Sequence, residues 1–94
     1  MFFSKPKIYK IEGQAVAYLC ASKIKEIGLE PFITNAEFYV KDSFQRHGIY
    51  KFSNKQGKQL AQLAIRYHEK GITRKTPIEG KVALLSDSIL KDFS

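Results

Sequence analysis

The sequence predicts a two-layer α+β sandwich of the split β-α-β, ferredoxin-like kind, and three observations predict it. Short runs of β-forming residues alternate with segments of helical period, and glycines fall where those helices should stop. Ile8-Tyr9-Lys10-Ile11 is also matched in residue type by Ile49-Tyr50-Lys51-Phe52 further along the chain. The 94 residues fit one domain spanning 1–94, and an apolar fraction of 44% with 13% aromatics is too high for a disordered chain.

The elements follow in order. Lys7–Ile11 is a first strand, rich in β-formers and preceded by Pro6. A helix runs from about Gly13 to Ile27, because Val16, Leu19, Cys20, Ile24 and Ile27 recur at helical spacing and Gly28 stands at the expected left-handed cap. Lys23 and Lys25 suit the negative end of its dipole. Pro31–Val40 reads as a second strand, with Phe32, Thr34, Ala36, Phe38 and Val40 alternating against Ile33, Asn35, Glu37 and Tyr39. Lys41–His47 is a polar connection of hairpin length, and Gly48 opens a short strand, Ile49–Phe52.

Ser53 or Asn54 caps the next helix, whose inner stripe is Leu60, Leu63, Ala64 and Tyr67, with Gly71 just past its end. Ile72–Lys75 is a short last strand or a plain connection. Thr76-Pro77-Ile78-Glu79 has the pattern of a capping box with proline at the first helical position, and Ile78, Val82, Leu85, Ile89 and Phe93 line one face beyond it. Gly80 weakens that helix by about 1 kcal/mol relative to alanine, and a strand through Lys81–Leu85 is the rival reading. The order is β-α-β-β-α followed by a C-terminal helix. Tyr9, Ile11, Tyr50 and Phe52 then point towards the helices, while Ile8, Lys10, Ile49 and Lys51 stand on an open sheet face through which a homodimer is possible.

Charge is the most informative feature of composition. The net charge is +7, yet residues 1–40 and 76–94 are close to balanced. The excess lies in 41–75, where Lys41, Arg46, Lys51, Lys55, Lys58, Arg66, Lys70, Arg74 and Lys75 face only Asp42 and Glu69. These nine are the candidate binding residues: lysine and arginine neutralise phosphates, and an exposed Tyr39 on the open sheet would stack a base. The plain alternative is solvated surface, with Arg66 and Lys70 sharing one wet helical face and Tyr50, Phe52 and Tyr67 in the core. Asn54–Lys58 opens a helix, and holds one phosphate oxygen or is simply a charged helix start.

Other chemistry is poorly represented. A lone Cys20 on an apolar helix face reads as a buried small residue and permits no internal disulfide. His47 and His68 are far apart and lack clustered carboxylates, so no metal and no cofactor is expected, and Cys20 has no evident triad partners. Neither G-x-x-x-x-G-K-[ST] nor G-x-G-x-x-G occurs. Gly48-Ile49-Tyr50 resembles the first half of a GIY-YIG nuclease signature, but Gln59-Leu60-Ala61 stands where the second half belongs, and Glu37 and Asp42 lack the spacing of a shared-metal pair. No enzyme activity is expected. No run approaches the roughly 20 apolar residues of a membrane span, and no secretory apolar core follows Met1-Phe2-Phe3, so a cytoplasmic protein with no membrane partner is expected. The expectation is a small basic protein that binds nucleic acid through its phosphate backbone without sequence preference. The alternative is an interaction module, an adaptor or inhibitor, that docks an acidic protein through the same surface, with Ile33 and Tyr39 as apolar contacts.

Overall fold

Among the described residues, 7–93, of the structure, a computed structural model, the chain forms five helices and no strand. They are α1 (Lys10–Ile27), α2 (Leu29–Thr34), α3 (Ala36–Arg46), α4 (Asn54–Glu69) and α5 (Gly80–Leu90). The α+β, ferredoxin-like sandwich is therefore wrong, and with it the open sheet face offered as a dimer surface. Pro6 and Met1–Phe3, which entered the strand and leader readings, lie outside the described residues. None of the described helices is long and apolar enough to cross a membrane.

The two central helices are those the apolar spacing marks most clearly. On α1, Val16, Ala17, Cys20 and Ile24 are inaccessible, and on α4 so are Leu60, Leu63, Ala64 and Tyr67. These stripes face each other in the most extensive helix pair of the fold. At roughly 1.5–3 kcal/mol for each large apolar side chain withdrawn from water, this pair dominates the core. Residues from every helix and from the connections join it in one buried cluster.

The first expected strand, Lys7–Ile11, is a short lead-in over residues 7–9 and the first two residues of α1, Lys10 and Ile11. Tyr9 is the N-cap, and Glu12 reaches back to accept from the Tyr9 amide at 3.1 Å, so the helix starts earlier than Gly13. Gly28 ends α1 with φ 97° and ψ 156°, a positive φ but not the left-handed helical cap expected of it. The second expected strand, Pro31–Val40, is instead the short α2 and the first half of α3. Phe32 and Val40 are buried, whereas Thr34 and Phe38 of the same alternating set are exposed.

The third expected strand, Ile49–Phe52, is a connection. Gly48, at φ 80°, ends α3 in a Schellman turn: its amide donates to Gln45 O at 2.9 Å, and the Ile49 amide donates to Phe44 O at 2.9 Å. Phe52 then folds back to stack on Phe44, ring centroids 4.1 Å apart. Gly71, at φ 66°, ends α4 the same way, with Gly71 N to His68 O at 3.1 Å and Ile72 N to Tyr67 O at 2.9 Å. Ile72–Lys75 thus forms no strand. Thr76 spends its hydroxyl on Thr73, accepting from the Thr73 amide at 3.0 Å, so it caps no helix. The last helix begins only at Gly80, behind Glu79.

Helix α5 is tied to α4 by polar contacts. The Tyr67 hydroxyl accepts from Gln14 Nε2 at 3.2 Å and shares a buried hydrogen bond with Ser86 Oγ at 2.8 Å. Beyond α5, Asp92 accepts from Gln59 Nε2 at 3.0 Å and pairs with Lys55 Nζ at 3.3 Å. Those two contacts, the Gln59 hydrogen bond foremost, hold its carboxyl below the usual aspartate value. Leu90 and Phe93 close over Gly13, where a Cβ would stand 3.1 Å from the Phe93 ring.

Candidate nucleic-acid interface

All nine sequence-marked cations are exposed. Lys41 and Arg46 lie on α3, Lys51 on the α3–α4 connection, and Lys55, Lys58 and Arg66 on α4. Lys70 is the α4 C-cap, and Arg74 and Lys75 follow on the α4–α5 connection. Three are partly neutralised: Arg46 Nε by Asp42 at 2.8 Å, Lys55 by Asp92, and Arg66 Nη1 by Glu69 at 3.3 Å. Lys41, Lys51, Lys58, Lys70, Arg74 and Lys75 have no ion-pair partner among the described residues.

Two clefts hold three of these six, Lys41, Lys58 and Arg74. The smaller, about 300 Å³, lies between α3 and the first half of α4. Val40, Phe52 and Ala61 floor it, Lys41 and Lys58 line it from its two helices, and Glu37 contributes one carboxylate. Gly57 keeps it open, since a Cβ there would meet the Phe52 ring at 3.2 Å. The larger, about 440 Å³, lies between the C-terminal half of α1 and the Gly71 turn. Tyr18, Leu19 and Ile72 make its apolar surface; Lys25, His68 and Arg74 are its cationic or protonatable groups, and no carboxylate lines it.

The two clefts lie in line. At 100° per residue, Ala61 in the first and His68 in the second point within about 20° of each other, roughly 10 Å apart along α4. Ile65 and Lys58 stand to one side of that line, about 40° and 60° from Ala61. One flank of α4 thus carries Lys41 and Lys58 at one end and Lys25 and Arg74 at the other. Arg66 and Lys70 lie across the helix from it, by about 140° and 180° from Ala61. Lys51 and Lys75 are on the connections at either end. The α4 N-terminus offers an anion less than its position suggests: Ser53 Oγ accepts from the Gln56 amide at 3.0 Å, and the Gly57 amide donates to Ser53 O at 3.0 Å.

The aromatics are distributed differently from the sheet-based expectation. Tyr39 is half-buried, stacked on Phe32 with centroids 5.7 Å apart, and Tyr67 is fully buried. Tyr50, expected in the core, is 73% exposed, and Phe38 is 65% exposed. Phe52 is half-buried against Phe44. Tyr18 and Lys25 were not singled out by the charge map, although their spacing of seven places them on one helical stripe beside the buried one. Burial of Tyr18 raises its hydroxyl pKa, as does neighbouring Tyr67, while Arg74 opposes both.

Catalytic groupings are sparse. Cys20 is inaccessible, and burial pushes its thiol up to about 11 against a slight opposing hydrogen bond with Ser43. Asp42 is occupied by Arg46, and His47 is the exposed α3 C-cap. No group of three or more His, Cys, Asp or Glu gathers as a metal site among the described residues. The fold and clefts define a small helical protein with an uneven, basic surface. Comparison with family models, curated proteins and solved structures finds no match to the chain.

Proposed function

We propose that the chain binds nucleic acid through phosphate contacts along the α3- and α1-facing flank of α4, without reading sequence. The observation that carries this reading is the alignment of two clefts holding Lys41, Lys58, Lys25 and Arg74, cations with no ion-pair partner among the described residues. Lys51, Lys70 and Lys75 add positive potential around the track, while Arg46, Lys55 and Arg66, each already paired, contribute less. The surface offers lysine and arginine charge, which suits backbone binding.

Four phosphate contacts give log K against log[salt] a slope of about −3.6 on duplex and about −2.8 on a single strand. Random-sequence strands titrated at about 50 and 200 mM salt measure it. The double substitution Lys41→Ala and Lys58→Ala should flatten the slope by about 1.4 to 1.8 and weaken all sequences alike. Absence of binding at the lower salt, or a slope untouched by the double substitution, refutes the proposal.

A second reading, docking of an acidic protein, is favoured by Phe38, 65% exposed and one turn before Lys41 on α3, and by Ile33, 53% exposed on α2. It predicts a stoichiometric acidic partner whose binding is lost on Phe38→Ser while nucleic-acid affinity is unchanged.

A further inference from the structure

We infer that the cleft between Tyr18 and Arg74 receives one unpaired nucleotide, its base on the apolar floor and its phosphate at Lys25 and Arg74, so that the protein favours single strands. The inference rests on the nucleic-acid reading and adds to it the state of the strand.

Volume and lining both suit this occupant. About 440 Å³ is within the range of pre-formed small-ligand sites, roughly 300–1,000 Å³. The floor is apolar, from Leu19, Ile72 and the Tyr18 ring, while the protonatable groups Lys25, His68 and Arg74 come from three separate stretches of chain. Tyr18 is held in place, since its ring stacks on the fully buried Tyr67 ring at 5.2 Å and 25°. A wall already fixed costs little further ordering when a flat ligand arrives.

The charge survives a check against the backbone. Lys25 and His68 stand at the C-terminal ends of α1 and α4, so two helix ends meet beside the cleft, each carrying about −0.5 of a charge. Lys25 and Arg74 supply two positive charges against about one negative, leaving roughly one in excess. An anionic group is therefore attracted, and no lining carboxylate repels it. Tyr18, Ser22 and Thr73 contribute the hydroxyls of the lining, that of Thr73 already bonded to Thr76, too few to distinguish the edges of the four bases. Such a site takes any base by its face. A duplex keeps its bases stacked and paired, and presents no such face without the cost of flipping one out.

Ser22 supplies the test, because it lines the cleft yet is exposed and bears no charge. Ser22→Phe fills the space and leaves every cation in place. Fluorescence anisotropy of the full chain with a short labelled oligothymidylate, and with a duplex of equal length, should show the single strand bound more tightly. Ser22→Phe should weaken the single strand about tenfold and the duplex less than about twofold, the value of one lost stacked base. Arg74→Ala should weaken both. Circular dichroism and a melting curve check that each variant is folded. Equal affinity for both strands, or equal weakening of both by Ser22→Phe, overturns the inference while leaving phosphate binding intact. No binding of either strand overturns both.

Discussion

Tyr67→Phe tests the helical packing at the point where three helices share one hydroxyl. Tyr67 is inaccessible, and its oxygen links Gln14 of α1 at 3.2 Å to Ser86 of α5 at 2.8 Å. Phenylalanine keeps the ring, its stacking on Tyr18 and almost all the volume, so no cavity term enters. What is lost is hydrogen bonding. Ser86 is 3% exposed and would be left unpaired, at a cost of about 1–3 kcal/mol, whereas part-buried Gln14 can turn to water and loses about 0.5. A total near 2 kcal/mol lowers Tm by about 8–16 °C in a domain of this size. Thermal and urea unfolding followed by circular dichroism measure it. Ser86→Ala in the Tyr67→Phe background should then cost almost nothing more, because both members of the pair are apolar. The resulting cycle should show a coupling of about 1 kcal/mol, beyond the roughly 0.5 kcal/mol scatter of independent sites. A Tyr67→Phe protein within 0.3 kcal/mol or so of the parent, or single costs that simply add, would refute the α4–α5 packing and the reasoning built on it.

Two further outcomes follow from burial. Cys20 should resist thiol reagents in the folded protein at pH 8, since a pKa of about 11 in place of 9.0 leaves roughly a hundredfold less thiolate before access is counted; a rate within tenfold of a free thiol would contradict its placement. The sign for stability is the same: the raised thiol pKa contributes fully below pH 9, and that contribution is lost as pH rises towards 11 because the unfolded thiol ionises first, so urea midpoints should fall over that window. Gly57→Leu should destabilise by about 1–3 kcal/mol despite leucine's better helix propensity, because a Cβ already meets the Phe52 ring at 3.2 Å and that ring is backed by Phe44; a more stable variant would show that the Phe44–Phe52 stack is not fixed.

What the sequence reveals of this fold depends on whether a spacing distinguishes period 2 from period 3.6. In α1 and α4 it does: Leu60, Leu63, Ala64 and Tyr67 include steps of three, which no strand places on one face, and they are the buried residues. In 32–40 it does not. Phe32, Ala36 and Val40 recur every four residues, a multiple of two that also nearly completes a helical turn, so both periods fit. The residues that decide are Thr34 and Phe38, exposed in α2 and α3, and the continuation to Ser43 and Phe44, both buried. The repeated Ile-Tyr-Lys run misleads differently: the first copy runs into α1 at Lys10, the second is the connection before α4, and neither is a strand. A more reliable repeat is Gly48-Ile49 and Gly71-Ile72, where glycine supplies the positive φ and isoleucine returns its amide to the helix in both Schellman turns. The charge is legible as composition, but its pairing is not. Asp92 reaches Lys55 only because α5 folds back on α4, and Lys25 joins Arg74 only because α1 and α4 end together. Local spacing can mark which residues are buried. Which cations remain unpaired depends on how the helices are assembled, and on that assembly the proposed binding track along α4 stands or falls.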